Sequence, residues 1–176
     1  LLQRSIELNV AMAAEVRLCP EILPMLDNGD LPLFNGSNEE QTMLLELPHS
    51  HVPPGTEQII TWLMKQDINV LIAHPERNKE LMRNMSRIEA LVDLGCKLQL
   101  TAGSVAGRFG VNPKAVSDYI LQQDWAFLLA SDAHNLTHRP PQLSNGVCAA
   151  TAIVGEQRAT ELVNVNPLSI CGGMFQ

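Results

Sequence analysis

The sequence FLLASDAHNLTHRPP, residues 127–141, changes within a few positions from an apolar run to a group of polar side chains. The apolar part predicts a short buried strand over Ala126–Ala130. Asp132 and His134 follow this strand directly, and Arg139 comes a few positions later. Ligands of α/β proteins bind where parallel strands end. The pattern therefore favours an α/β fold with a functional site at the carboxyl edge of its sheet.

Similar apolar runs occur along the rest of the chain, and they alternate with segments of helical periodicity. Strands are predicted over Val10–Val16, Met43–Leu47, Ile68–Ala73, Lys97–Thr101 and Ala126–Ala130. Helices are predicted near Pro20–Leu26 and over Thr56–Lys65, Ser86–Leu94, Asn112–Gln123, Leu143–Val154 and Glu156–Val163. This alternation predicts βαβ crossovers and a parallel sheet, which is either an open doubly wound sheet or part of a barrel.

Length and composition restrict the class of protein. The 176 residues fit a single domain over residues 1–176, and 45% of them are hydrophobic. The net charge of -7 argues against nucleic-acid binding, which requires a basic surface. No apolar run is long enough to predict a membrane span. The four cysteines form neither a CxxC pair nor a Cys-x5-Arg phosphatase loop, and we expect a reducing, cytoplasmic location.

Side chains that can bind a metal lie at or beside four of the five predicted strand ends. They are Glu15, Glu46, His74, and the pair Asp132 and His134. Any one of them alone would more often be a helix cap or a loop contact, but a parallel sheet brings all four strand ends to one rim. Carboxylates and imidazoles without thiolates favour zinc, manganese or iron in a hydrolytic site. Several acids on one rim also favour more than one metal.

Two arginines extend this prediction to the substrate. Arg77 and Arg139 follow the histidines of their strand ends, and a guanidinium group is a planar donor that matches phosphate oxygens. A salt bridge to the ligand carboxylates is the alternative role for either one. Ser104, in the glycine-rich loop 101–110, and His51 are candidate substrate contacts. For His51 a local hydrogen bond is the more common role.

Several segments of the chain together resemble the polymerase and histidinol phosphatase (PHP) superfamily. They are LLELP, HVPPG, IAHPERN, GSVAGRFG, and ASDAHN with RPPQL. Within it, they are most similar to the manganese-dependent bacterial tyrosine phosphatases of the CpsB/CapC type, from capsule and exopolysaccharide operons. The segment AAEVRL resembles the GxEIR strand of that family. The resemblance runs in order from about residue 10 to residue 167.

The resemblance implies a distorted (β/α)7 barrel with a trinuclear metal site that hydrolyses phosphotyrosine on a partner tyrosine kinase. Manganese is the implied metal, although iron and zinc accept the same ligands. By the same resemblance, metal ligands would be Glu15 (bridging), Glu46, His74, Asp132 and His134, and Arg77 and Arg139 would hold the phosphate. The implied reaction is attack on phosphorus by a metal-bridging hydroxide, with no cysteine nucleophile.

The chain departs from the family pattern at its start, because the His-x-His strand and the acidic ligands that follow it are absent from the sequence. We therefore expect a barrel that lacks its first strand or strands, at most one tightly bound metal, and weak or no phosphatase activity. The exposed sheet edges would favour pairing with a second copy. Two alternatives stay open: a small phosphomonoesterase of the histidinol phosphatase kind, and a non-catalytic barrel that acts as a binding or regulatory module.

Overall fold

The computed structural model describes residues 9–175, and its strands and helices alternate as the sequence predicts. The strands are β1 (Glu15–Arg17), β2 (Phe34–Asn35), β3 (Gln41–Glu46), β4 (Ile68–Ala73), β5 (Lys97–Thr101) and β6 (Ala126–Ala130). The helices are α1 (Ile22–Asp27), α2 (Thr56–Met64), α3 (Lys79–Arg83), α4 (Ser86–Asp93), α5 (Ala102–Val105), α6 (Val111–Gln122), α7 (Ser144–Glu161) and α8 (Val165–Cys171). Short 3-10 helices lie at Pro75–Arg77 and Gly172–Phe175.

The sheet is parallel in the order β1-β3-β4-β5-β6. The short β2 runs antiparallel to the first residues of β3, and β1 pairs with the last residues of β3. The fold is thus α/β with a parallel sheet. The carboxyl ends of β3, β4, β5 and β6 face the same edge, which places Glu46 and His74 on neighbouring strands.

Hydrophobic side chains cover both faces of the sheet, which explains why β4 (INVLIA) is apolar in almost every position. The main core lies between the sheet and helices α2 to α7, and includes Ile60, Ile72, Leu98 and Ile120, all fully buried. A smaller cluster on the other face joins Leu44, Leu71, Ala73 and Leu128 to Ile170 of α8. The last helix therefore packs on the sheet face that the other helices leave open.

The C-terminal residues form a seam with the turn that follows β2, which we call the Gly36–Gly173 seam. A methyl group on Gly173 would lie 2.3 Å from the carbonyl oxygen of Gly36, and one on Gly36 would lie 2.5 Å from the carbonyl oxygen of Ser169. Only glycine permits this backbone contact. The segment also covers the free edge of β6, where Asn166 Nδ2 donates to the Phe127 carbonyl oxygen at 2.6 Å.

The first predicted strand differs from the one observed. The predicted strand Val10–Val16 is reduced to Glu15–Arg17, because Val10 and Met12 are 77% and 79% exposed and precede the residues that pair with β3. The predicted division between helices 143–154 and 156–163 is confirmed, because Gly155 (φ 81°, ψ 166°) has a non-helical conformation and separates two helical segments within α7. No helix within residues 9–175 combines the length and apolarity of a membrane span.

Candidate metal and phosphate site

Glu15, Glu46 and His74 come together at the carboxyl edge of the sheet. His74 Nε2 lies 2.8 Å from Glu15 Oε1 and 4.0 Å from Glu46 Oε1. One ligand atom from each residue can be chosen so that all three lie within 4.8 Å of one another. Two carboxylates and an imidazole at this spacing form a donor set that fits a divalent cation such as manganese, iron or zinc.

A change in backbone direction after β4 brings His74 into this cluster. His74 adopts a left-handed conformation (φ 32°, ψ 54°), and Pro75 then begins a 3-10 turn that ends at Arg77. A non-glycine residue with positive φ is uncommon and is often found at functional sites. The turn holds His74 at the end of β4 and places Arg77 close to it, so that both side chains line one cavity. This cavity, of about 190 Å³, is lined in part by Glu46, His49 and Asn78.

The hydrogen bond between Glu15 and His74 changes the pKa of both groups. It holds the pKa of the Glu15 carboxyl below its usual value, against an opposing effect of burial. Burial acts to lower the pKa of His74, but the hydrogen bond and the charge of Glu15 outweigh it, so the pKa of His74 is raised. The carboxylate and the imidazolium thus stabilise each other, and a bound cation would take the place of the proton.

Asp132 forms salt bridges with Arg77 and Arg139, the two arginines predicted to hold phosphate. Its side chain is only 5% exposed, and its Oδ2 atom accepts hydrogen bonds from Arg77 Nη1 and Arg139 Nη2. Asp132 itself adopts a left-handed conformation (φ 50°). The guanidinium groups of Arg77, from the loop after β4, and Arg139, from the loop after β6, therefore converge on one carboxylate. The structure thus shows the salt bridge that we considered as the alternative role for these arginines.

His134 lies at the margin of this group, with 55% of its side chain exposed. Its Nδ1 atom is 3.0 Å from the backbone carbonyl oxygen of Asp132. This contact assigns the proton to Nδ1 and leaves Nε2 as the nitrogen that can bind a metal. Within residues 9–175, the ligand atoms that lie close enough for one shared ion belong to Glu15, Glu46 and His74, without Asp132 or His134.

The two candidate substrate contacts lie in different surroundings. Ser104 is fully buried in α5, and its hydroxyl oxygen has no hydrogen-bond partner. His51 is exposed, and its Nδ1 atom lies 2.8 Å from Ser50 Oγ, which is the local hydrogen bond expected of a loop histidine. A substrate-binding role for Ser104 and His51 stays a prediction.

Asn78 organises the site, although the sequence analysis did not select it. Its Nδ2 atom donates to the carbonyl oxygens of Pro48 (2.7 Å) and His51 (2.9 Å). Its Oδ1 atom accepts from the backbone N–H groups of Glu80 and Leu81 and so caps α3. Asn78 thereby fixes the loop after β3 to the turn that carries His74. Its place before a helical segment was the signal that could have identified it.

Asn135 has a comparable role in the loop after β6. Its Oδ1 atom accepts hydrogen bonds from the backbone N–H groups of Thr137 (3.1 Å), His138 (2.7 Å) and Arg139 (3.2 Å). The backbone N–H of His134 donates to the Arg139 carbonyl oxygen at 2.9 Å. These bonds close the loop into a compact turn and hold Arg139 beside Asp132. An asparagine that accepts bonds from following backbone groups is a common turn device.

Glu76 connects the His74 turn to β5 and is completely buried. Its Oε1 atom accepts a hydrogen bond from the Thr101 N–H at 3.0 Å. Burial raises the pKa of the Glu76 carboxyl, and this effect outweighs the nearby Ser104 hydroxyl and Thr101 N–H, which act to lower it. Ser104 Oγ and Glu76 Oε2 lie in the same buried region but complete no hydrogen bond. Nothing in the sequence distinguished Glu76 from an exposed loop glutamate.

Comparison with known proteins assigns the family. The family model for capsular polysaccharide synthesis, CpsB/CapC, matches residues 2–171. CapC of Staphylococcus aureus is 33% identical over 137 residues, which are 78% of this chain and 52% of CapC. The tyrosine-protein phosphatase YwqE of Bacillus subtilis is 36% identical over 139 residues, which are 79% of this chain and 54% of YwqE. The chain thus spans about half the length of these curated relatives.

The fold comparison agrees. A crystal structure from a study of YwqE and Streptococcus pneumoniae CpsB, described as metal-dependent tyrosine phosphatases, superposes with a TM-score of 0.85 at 31% identity. The match covers 96% of this chain and 67% of that chain. The motifs that suggested the family from the sequence lie within residues 2–171, which the family model matches. The chain belongs to the CpsB/CapC family of capsular polysaccharide synthesis.

Proposed function

We propose that this chain is a metal-dependent protein-tyrosine phosphatase that acts in capsule or exopolysaccharide synthesis. The observation that carries the proposal is the convergence of Arg77 and Arg139 beside the carboxylate and imidazole donors of the sheet edge. A cation site next to two guanidinium groups suits a substrate that is both anionic and hydrolysed with metal assistance. A phosphomonoester meets both conditions.

Glu15, Glu46 and His74 would hold the metal, and manganese is the cation that we propose. The chemistry that a divalent cation supplies at such a site is Lewis-acid activation of water and of phosphoryl oxygens. About one third of the side-chain surface of Glu15 and of Glu46 is exposed, which leaves room for water and substrate. Asp132 and His134 are proposed as ligands for further cations, and the distorted (β/α)7 barrel of the PHP superfamily is the proposed architecture.

Arg77 and Arg139 would orient the phosphoryl group and stabilise the charge that develops on it. Asp132 occupies only one nitrogen of each guanidinium group, Nη1 of Arg77 and Nη2 of Arg139. Other N–H donors remain for phosphate, and Arg139 Nε is a buried donor with no hydrogen-bond partner. Asp132 thus fixes the two guanidinium groups without using all of their donors.

The substrate class that we propose is phosphotyrosine on a bacterial tyrosine kinase, in the cytoplasm. The support is the family assignment together with the names of the relatives, several of which are tyrosine-protein phosphatases. The site itself requires only an accessible phosphomonoester. Small phosphomonoesters such as histidinol phosphate are therefore the comparison that the experiment has to include.

The test is hydrolysis of a phosphotyrosine peptide and of histidinol phosphate by the 176-residue chain, with Mn²⁺ and with EDTA. We expect weak, Mn²⁺-dependent release of phosphate with preference for the peptide, in line with a single tightly bound metal. Arg77→Lys should lower this release by about tenfold or more, since a lysine cannot replace a fork of charged hydrogen bonds. Arg83→Lys, an exposed arginine at the end of α3, is the matched control. Hydrolysis that survives EDTA, or preference for histidinol phosphate, would contradict the proposal. A complete lack of hydrolysis would favour a binding module.

A further inference from the structure

Phe109 lies directly beside one of the proposed phosphate ligands. The centre of its ring is 5.2 Å from Arg77 Cζ, within the range of a cation–π interaction. The residue belongs to the glycine-rich loop 101–110, and its side chain is 39% exposed. A large aromatic ring at this position thus contacts the guanidinium group and still offers apolar surface to solvent.

The position of the ring depends on a glycine. A methyl group on Gly103 would lie 2.8 Å from Phe109 Cε2 and 3.2 Å from Phe109 Cζ, which is too close for an unstrained contact. The backbone of α5 therefore forms the support on which the ring rests. Because the atoms that would clash are at the far end of a flexible side chain, a larger residue at position 103 would displace the ring and leave the backbone in place.

The loop that carries Phe109 also contacts the loop that carries the second arginine. Arg108 Nη2 donates to the His138 carbonyl oxygen at 3.4 Å, one residue before Arg139. Both loops follow neighbouring strands, β5 and β6. Phe109 is therefore part of the rim of the arginine site and not a separate surface feature.

The geometry points to Phe109 as the residue that selects an aryl group on the phosphoester, an inference that rests on the proposed function. A phosphoryl group held by Arg77 has its ester substituent next to the guanidinium group, where the exposed ring of Phe109 provides apolar contact area. A substrate ring gains from such a contact through burial and ring–ring interaction. A methyl or charged aliphatic substituent gains much less.

Binding of two phosphonates, which the proposed reaction cannot hydrolyse, tests this inference without reliance on activity. Phenylphosphonate and methylphosphonate share the anionic group and differ in the ring. We measure their affinity for the full chain with Mn²⁺ by isothermal titration calorimetry. We expect phenylphosphonate to bind about three- to tenfold more tightly, the size of one aromatic contact. Phe109→Leu should abolish this preference and leave methylphosphonate binding within about twofold.

A second variant moves the ring without removing it. Gly103→Ala should displace Phe109 and reduce the phenyl preference in the same direction as Phe109→Leu. Phe175→Leu is the matched control, since Phe175 is 47% exposed in the C-terminal 3-10 helix, which packs on β2 at the opposite end of β3. It should leave the preference unchanged, and circular dichroism verifies that all three variants are folded.

The outcomes separate this inference from the proposed function. If the wild-type chain binds both phosphonates equally, or if Phe109→Leu weakens both to the same extent, the selective role of Phe109 is wrong while the phosphate site stands. If neither phosphonate binds, with or without Mn²⁺, the proposed phosphate site is wrong and the inference falls with it.

Discussion

His74 Nε2 lies 2.8 Å from Glu15 Oε1, although 59 positions separate the two residues in the chain. β1 and β4 both pair with β3, and these pairings bring the two side chains to the same edge of the sheet. A metal bound by Glu15, His74 and Glu46 would therefore bind to the paired strands β1, β3 and β4. It would also stabilise the folded state over the unfolded one.

The first prediction concerns metal affinity. Glu15→Gln keeps the size of the side chain but removes a charged ligand, and we expect Mn²⁺ affinity to fall by at least about tenfold. Loss of a residue that only hydrogen-bonds to a metal ligand already lowers metal affinity by about 10–100-fold. Isothermal titration calorimetry on the 176-residue chain measures the change. Glu40→Gln removes an exposed carboxylate just before β3 and serves as the control. Equal losses in the two variants would indicate non-specific binding to the acidic surface.

The second prediction concerns the arginine pair without metal. In Asp132→Asn, Arg77 and Arg139 face each other without their shared carboxylate. We expect the free energy of unfolding to fall by about 1–3 kcal/mol. Millimolar phosphate should restore more stability to the variant than to the wild type, because the anion can take the place of the carboxylate. Urea denaturation in EDTA, with and without phosphate, measures both effects.

Asp67→Asn is the control for this experiment, since Asp67 also has a left-handed conformation (φ 59°) but is exposed. It should change neither the stability nor the response to phosphate. If Asp132→Asn is as stable as the wild type, the two hydrogen bonds to Asp132 Oδ2 contribute nothing to the fold.

The third prediction concerns Glu76. Glu76→Ala leaves the Thr101 N–H without its acceptor, and we expect a loss of about 1–3 kcal/mol in the free energy of unfolding. Glu76→Gln should be less destabilising, since the amide oxygen can accept from Thr101 and the amide nitrogen can donate to the unpaired Ser104 oxygen. Chemical denaturation compares the two variants. Equal losses would show that an amide cannot replace the carboxyl group at this position, which would contradict the prediction.

The fourth prediction concerns thiol reactivity. Burial raises the pKa of Cys96 to about 12, so its thiol stays protonated at pH 8 and lacks the reactive thiolate. Cys148 is exposed. We expect iodoacetamide at pH 8 to modify Cys148 before Cys96, as mass spectrometry of the folded chain can show. Phosphate release should survive modification of Cys148, because the proposed reaction uses no cysteine nucleophile. Equal rates for the two thiols would contradict the prediction.

The sequence alone predicted the elements that depend on burial. The strands Ile68–Ala73, Lys97–Thr101 and Ala126–Ala130 were predicted with the bounds that the structure shows. Ile68–Ala73 and Ala126–Ala130 are almost continuous apolar runs, and Lys97–Thr101 alternates polar and apolar residues. β2 could not be predicted, since two residues carry no periodicity. α5, in the glycine-rich loop 101–110, was also missed, because glycines at positions 103 and 107 indicate a loop.

The site shows a similar division. Positions at strand ends were enough to predict that Glu46 and His74 would meet, because a parallel sheet fixes which ends are neighbours. Glu15 joins them as predicted, although it is the first residue of β1 and not the last. From the sequence alone, a salt bridge between Asp132 and both arginines could not be distinguished from metal binding by Asp132. The salt bridge depends on the turn conformations of residues 74–77 and 132–139. The role of Asp132 as a metal ligand stays a prediction.

The Gly36–Gly173 seam also sets an order of events in folding. It joins residues that lie more than 100 positions apart, so the entropy of closing a very long loop has to be overcome before this contact forms. During synthesis, the turn at Gly36 leaves the ribosome well before residues 165–175. The turn after β2 and the sheet face that α8 covers therefore stay exposed on a nascent chain until α8 and the 3-10 helix that follows it have emerged.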